Sequence, residues 1–464
     1  MQQPSAREQF ASRAGFILMS AGCAIGLGNV WRFSYIAGEY GGGFFVLLYL
    51  LFLAILGFPV MLMELAVGRA GRSTFPGAFR NLQSPQSKFK WHKPVYWLFT
   101  GNLILLMFYT VITGWLLIYA AGYITGRMTA VVSTADSAKI FENLLASPML
   151  QTVGLLVSVA ITTLVCMGGV RKTIEKSIKI MMTGLFLLLI VLVIHALRLP
   201  NAIQGVSFFL KPDWQKFVGD GILNTVHAAM AQAFFTLSLG VGSMAVCGSY
   251  MPRERSLANE GVWIISLDTM VAVFSGLIIF PACAAFSINP NAGPPLIFIT
   301  LPNVFANMQY GIFWGALFFV FLSIAAVSTL IAVFENLVSF GMDQWHWSRK
   351  RSCTVFTAIL TVLSLPCIFG FNIWKSFQPF GKGSSVLDLE DFIISDNLLP
   401  LGAFYVALFC VSRYGWGKEN FLQEINTGKG WQFPTWLFCY CKWVLPAVIL
   451  LIWVIGIAKR FAWI

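Results

Sequence analysis

About eleven stretches of this 464-residue chain are apolar and long enough to cross a bilayer, and that count constrains the fold more than any other feature. A hydrocarbon core of about 30 Å takes roughly 20 helical residues. The stretches run at about 12–37, 42–68, 94–124, 150–168, 175–197, 222–250, 258–286, 311–341, 353–371, 390–412 and 433–458. Lipid satisfies no backbone N–H or C=O group, so segments of this length are expected to be helices. Composition agrees. The chain is 58% hydrophobic and 11% charged, where soluble domains carry about 25% charged residues. An all-α membrane protein with about eleven transmembrane helices is expected.

The formal charge of +12 does not mark a nucleic-acid partner, because the basic residues form no single face. They collect in alternate loops: Arg69, Arg72, Arg80, Lys88, Lys90 and Lys93; then Arg171, Lys172, Lys176 and Lys179; then Arg253 and Arg255; then Arg349, Lys350 and Arg351; then Arg413, Lys418 and Lys429. Cytoplasmic loops carry such an excess. Residues 1–11, with Arg7, are therefore expected in the cytoplasm, and an odd number of spans puts the C-terminus outside, in a multi-pass protein of the cell membrane. The first apolar stretch lacks a small-residue cleavage site, so no removable signal peptide is expected.

An enzyme needs a convergent acid–base, metal or nucleophile set. The four histidines (His92, His195, His227, His346) share no spacing, and the nine cysteines form no CxxC pair or Cys/His cluster. Gly26-Leu27-Gly28 is too short for a dinucleotide fingerprint and follows no strand. No enzymatic reading stands.

Residues 22–33 read GCAIGLGNVWRF in the middle of the first span. Each glycine costs about 1 kcal/mol against alanine inside a helix, so Gly22, Gly26 and Gly28 favour a break there. A break at membrane depth survives only where protein or a cavity meets its bare backbone groups. Small-xxx-small spacing also lets helices pack closely, and the first stretch alone fits either reading. A second interruption, QAFFTLSLGVGS at 232–243, lies mid-way along the sixth span. Five spans separate the two, and an odd offset reverses orientation. Two inverted five-helix repeats are therefore expected, at 12–198 and 222–413, with an eleventh helix and the C-terminus at 433–464. Helices 1 and 6 would be discontinuous and the site would lie between the repeats.

These residues resemble the neurotransmitter:sodium symporters, in their bacterial amino-acid-transporting branch. The likeness covers nearly the whole chain. It rests on SRAGFILMSAGCAIGLGNVWRFSYIAGEYGGGFF (12–45), with support from ELAVGR (64–69), FFTLSLGVGS (234–243), NPNAGPPLIFITLP (289–302) and LLPLG (398–402). It implies sodium-coupled symport of a neutral L-amino acid by alternating access. A non-transporting amino-acid sensor on the same fold is the alternative, and uptake into vesicles separates the two.

The resemblance also implies roles residue by residue. The substrate carboxylate would meet the N–H groups of Leu27 and Gly28 and the hydroxyl of Tyr109. Its ammonium would meet the carbonyls of Ala24, Phe235 and Thr236 and the hydroxyl of Ser238. Leu105, Ile112, Phe235, Val241, Thr329 and Val333 would line an uncharged side-chain pocket, which favours a hydrophobic or aromatic substrate. Two sodium ions are expected, since hard cations prefer oxygen ligands. The first would take Ala24, Asn29, Thr236, Asp268 and the substrate carboxylate; the second would take Gly22, Ile25, Ala325, Ser328 and Thr329. Read without the family, Ser328 and Thr329 would bond back to their own helix.

Arg32 and Asp391 resemble an extracellular gate above Tyr109 and Phe235. Arg7 and Asp343, with Phe10 and Tyr250, resemble a cytoplasmic one. Residues 289–308 resemble an extracellular lid. Intramembrane carboxylates are costly and usually functional. Glu64 resembles an acid that braces the unwound part of the sixth span. Glu335 fits either a functional acid or a surface group reaching to the interface. Asp268 supplies a fixed negative charge where chloride-dependent relatives have neutral residues, and Ala272 offers no hydroxyl, so chloride independence is expected. Monoamine-transporting relatives carry an aspartate where Gly26 stands, so Gly26 leaves room for the substrate's own carboxylate. In one departure, Thr173 and Thr183 stand where many relatives have a glycine and a proline, with Gly184 beside them.

Overall fold

The computed structural model describes residues 12–130, 133–219, 221–288 and 296–461. The described residues are nearly all helical and contain no strand beyond one isolated bridge, Arg255 to Lys429. Nine helices among them are long and apolar enough to cross a membrane, and a bent pair, Arg13–Ala24 with Gly28–Glu39, makes a tenth. The sixth expected span is present as two pieces, Ile222–Thr236 and Ser243–Ser249.

Burial sorts the spans into an inner set and a rim. The eighth, Gly311–Trp345, is 83% buried along its most apolar window, whereas the fifth (Lys172–Leu197) and eleventh (Thr435–Ala458) are 33% buried. Rim helices therefore present Leu164, Ile180, Val362 and Leu451 outward, as a lipid-facing surface requires. The third span, His92–Ile124, packs along the eighth, and the N-terminal half of the first lies against the fifth, seventh and eighth. The two breaks thus sit inside the bundle, where neighbours can satisfy the freed backbone groups.

The first span starts at a Ser12 cap, whose hydroxyl accepts the Gly15 N–H at 3.0 Å. It ends at Ala24 because Ile25 turns extended (ψ 106°), and the chain resumes at Gly28 in a π turn, 52° off the first half. The sixth span opens over 237–242, where Ser238 (φ 49°), Gly240 (φ 89°) and Gly242 (φ 81°) are left-handed. Gly240 is needed twice over. Its φ suits glycine, and a Cβ there would strike the Leu399 carbonyl of the tenth span.

Several features have no counterpart in the apolar pattern. π turns interrupt the second span (Leu53–Gly57), the tenth (Phe392–Leu398) and the eleventh (Tyr440–Val444), and another opens the fifth (Val170–Ile174). Short helices at Phe75–Leu82, Thr134–Ala146, Ala202–Leu210, Thr300–Ala306 and Lys418–Ile425 fill the connections.

Candidate functional site

The two breaks face each other across a small cavity of about 10 Å³, space for about one water. Cys23, Ala24, Gly26 and Gly28 of the first span line it with Leu105 and Tyr109 of the third, Phe235 and Ser238 of the sixth, Thr329 and Leu399. Leu27 lies above it, with its N–H donated to the Tyr109 hydroxyl at 2.8 Å. A side chain at Gly26 would collide with that hydroxyl and with Thr329 Oγ1. The Ser238 hydroxyl donates to the Cys23 carbonyl at 3.3 Å. Ile112 lines a larger cavity instead, while Val241 and Val333 are buried and do not line the inner one. The Val241 carbonyl is taken by Asn102 Nδ2 at 2.8 Å.

Two oxygen clusters flank the break in the first span. In the first, the fully buried Asp268 gathers Asn29 Nδ2 (2.7 Å) and Thr236 Oγ1 (3.0 Å) on Oδ1, and the Tyr49 hydroxyl (3.3 Å) on Oδ2. Asn29 Oδ1 in turn accepts the Gly26 N–H at 3.0 Å, which ties the carboxylate to the turn. In the second, Thr329 Oγ1 lies 3.1 Å from the Gly22 carbonyl, 2.9 Å from that of Ile25 and 3.3 Å from that of Ala325. Ser328 Oγ bonds back to the Ala325 carbonyl at 2.8 Å. Clusters of carbonyl, hydroxyl, amide and carboxylate oxygens suit a hard cation.

Above the inner cavity a vestibule of about 390 Å³ opens, floored by Tyr109 and Phe235 and walled by Trp31, Arg32, Ile112, Trp115, Phe298 and Asp391. Arg32 and Asp391 share its rim, but no ion pair joins them among the described residues. Arg32 Nη1 donates to Gln232 Oε1 at 3.0 Å and its guanidinium lies 4.6 Å from the Phe235 ring centre. Asp391 accepts from the Ser395 hydroxyl at 2.6 Å. Gln232 also donates to the Gly28 carbonyl at 2.7 Å, so it links the two broken spans.

At the opposite end, Asp343 accepts from the Thr74 N–H (2.7 Å) and Ser73 hydroxyl (3.1 Å). Arg7 and Phe10 lie outside the described residues, as do 289–295 of the expected lid. The Tyr250 hydroxyl meets Glu335 Oε1 (3.1 Å) and Ser339 (2.7 Å). Glu335 is not a surface group. It is fully buried and forked by both terminal nitrogens of Arg349 at 2.8 Å, because the eighth and ninth spans bring them together. Glu64 Oε1 accepts the Gly240 N–H at 2.5 Å, on the turn that splits the sixth span. Thr173 donates to the carbonyls of Val165 (2.6 Å) and Gly169 (2.9 Å), next to the π turn at the entry to the fifth span.

Sequence reasoning did not single out Tyr49, Gln232, Cys23 or Asn102. Tyr49 and Gln232 are polar groups on otherwise apolar spans, the one signal the sequence held for them.

Two broken helices around a buried carboxylate and a ring of carbonyls define a class, the sodium-coupled secondary transporters. The chain belongs to the sodium:neurotransmitter symporter family, whose model matches residues 7–133 and 139–462. It is 33% identical over 454 residues to an uncharacterised sodium-dependent transporter of Bacillus subtilis, 96% of each chain. A second, from Haemophilus influenzae, is 32% identical over 458 residues, 97% of this chain and 98% of the relative. The crystal structure of MhsT in complex with L-phenylalanine is similar over 97% of this chain and 99% of MhsT, with a TM-score of 0.86 and 36% identity. The protein is a sodium-dependent symporter and a multi-pass membrane protein, not an enzyme.

Proposed function

We propose that the chain imports a neutral, hydrophobic or aromatic L-amino acid together with two sodium ions, without chloride, by alternating access. The observation that carries the reading is the close packing at Gly26, where even a Cβ would strike the Tyr109 hydroxyl and Thr329 Oγ1, so this position carries no acidic side chain of its own beside the half-helix start and the substrate would bring the carboxylate. There the Leu27 and Gly28 N–H groups, at the start of a half-helix, and the Tyr109 hydroxyl would hold that carboxylate. Ala24, Phe235, Thr236 and Ser238 would take the ammonium. Leu105 and Phe235 bring only apolar surface to the inner cavity, and Ile112, Val241 and Val333 are apolar too, which supports an uncharged side chain. The L-phenylalanine carried by MhsT supports the same class.

The first sodium would sit by Asn29, Thr236, Asp268 and the Ala24 carbonyl, sharing the substrate carboxylate. The second would lie among the carbonyls of Gly22, Ile25 and Ala325 with the hydroxyls of Ser328 and Thr329. Sharing one carboxylate makes each ligand raise the other's affinity by the same factor. Asp268 supplies the negative charge beside the first sodium, so no anion is needed. Arg32 would close toward Asp391 over Tyr109 and Phe235, on the extracellular side. Arg7 would pair with Asp343, near Tyr250 and Phe10, on the cytoplasmic side. Glu64 would brace the broken sixth span in both states.

The test is uptake into proteoliposomes of each of the twenty amino acids under an inward sodium gradient, with chloride or gluconate. Accumulation of leucine-like or aromatic substrates in both anions is expected. Binding with no accumulation, or collapse in gluconate, contradicts the reading.

A further inference from the structure

Glu390 is a buried carboxyl that no step above employs. It lies on the short helix Val386–Asp391 that begins the tenth span, is 4% exposed, and among the described residues its oxygens meet no hydrogen-bonding group other than the weak Cys367 thiol. Its neighbours on the same helix are satisfied. Asp388 caps the helix through the Ser385 N–H (2.7 Å) and hydroxyl (2.8 Å), and Asp391 accepts from Ser395. Asp388 and Asp391 line the vestibule; Glu390 does not, and points instead toward the ninth span, where Cys367 is the polar side chain beside it.

Among the described residues no ion pair joins Glu390 to a cation. The ninth span, Arg349–Phe369, carries charge only at Arg349, Lys350 and Arg351, about 24 Å from Cys367 at 1.5 Å per residue. Beyond Lys93 the third span has tyrosines as its only titratable groups, and Lys93 lies about 28 Å along the helix from the vestibule-lining Ile112. The other titratable groups nearby are the acids Cys367, Asp388, Asp391 and, on the following π turn, Asp396, with two arginines beyond them: Arg32, which shares the vestibule rim with Asp391 and donates to Gln232, and Arg460, whose guanidinium lies 5.6 Å from the Phe392 ring centre. Neither forms an ion pair with Glu390 among the described residues. A buried carboxylate with only a weak thiol donor and no ion-pair partner takes up a proton instead.

A π turn, Phe392–Leu398, follows the segment directly, and one side of the helix lines the vestibule. The inference rests on the alternating-access reading above, in which that wall shifts. We propose that Glu390 is a proton-binding site of the transport cycle, neutral while the vestibule is open and ionised when the helix tilts on its π turn. In that step the carboxyl O–H bond breaks, the proton passes to vestibule water, and the carboxylate stays on the protein. The site is separate from Asp268, which lies across the bundle among Asn29, Thr236 and Tyr49.

Two readouts test this. In weakly buffered proteoliposomes, sodium-driven uptake of L-phenylalanine is followed together with a pH dye. Glu390→Gln is expected to keep sodium-dependent binding and to lose a proton signal that wild type shows. An unchanged proton signal per amino acid moved overturns the proposal. The second readout requires no variant to fold. Infrared spectra of wild type with isotope-labelled glutamate are expected to show a protonated glutamate band that weakens when sodium and L-phenylalanine replace choline. A band that is absent in choline, or indifferent to sodium and substrate, overturns it as well. If L-phenylalanine is not bound at all, the sodium-against-choline comparison alone decides: a weakened band supports the site and an unmoved band rejects it.

Discussion

Gly26→Ala is the sharpest probe of the proposed carboxylate site. The added methyl would stand against the Tyr109 hydroxyl and Thr329 Oγ1. Overpacking a tight site costs about 1–3 kcal/mol. Pushing the Tyr109 hydroxyl off the Leu27 N–H forfeits about 1 kcal/mol more. The total of about 2–4 kcal/mol corresponds to roughly 30- to 700-fold weaker amino-acid binding at saturating sodium. Tyr109→Phe alone removes a hydrogen bond to a charged group, worth about 1.5–3 kcal/mol. The two losses must not add, because the hydroxyl that Tyr109→Phe removes is the atom the alanine methyl strikes. Equilibrium dialysis with radiolabelled substrate on both single variants and the double variant gives the coupling energy, expected at about 1 kcal/mol or more in favour of the double variant. Additivity within about 0.5 kcal/mol would show that the methyl and the hydroxyl do not meet, and would refute the account of Gly26.

Three further outcomes are expected. Tyr49→Phe removes one donor from Asp268 (3.3 Å) and should change sodium affinity several-fold while leaving amino-acid selectivity unchanged, as read from sodium titrations with two different substrates. Asp268→Asn removes the fixed charge beside the first sodium, so uptake by this variant should fall and then respond to added chloride; a variant that ignores chloride counts against that role. Glu335→Gln takes the counter-charge from the half-buried Arg349, which keeps its bond to the Cys166 carbonyl, and should destabilise the fold by less than the about 3–5 kcal/mol of a fully buried pair, read as a drop in thermal midpoint in detergent.

The breaks were legible because glycine clusters in an apolar run have few explanations, and both fall where the chain opens. The grouping of Asn29 with Asp268, and of Thr329 with Gly22 and Ile25, was reached through family likeness, since residues more than 200 positions apart share no local pattern. Tyr49 and Gln232 escaped because a single polar side chain on a span looks the same whether it faces lipid, packing or a site. Glu335 and Arg349 illustrate the limit of charge reading. Arg349 belongs to a basic loop by sequence, yet it folds back 14 residues onto a carboxylate inside the bundle. The π turns left no trace because a one-residue insertion into a helix barely disturbs an apolar pattern of 20 residues or so.

The central claim is that substrate and sodium share one carboxylate, the substrate's own, between the two broken helices. Reciprocal titration tests it most directly: amino-acid affinity measured in sodium and in choline, and sodium affinity measured with and without the amino acid. Equal enhancement factors in the two directions are predicted. Amino-acid binding of the same strength in choline as in sodium would contradict the claim.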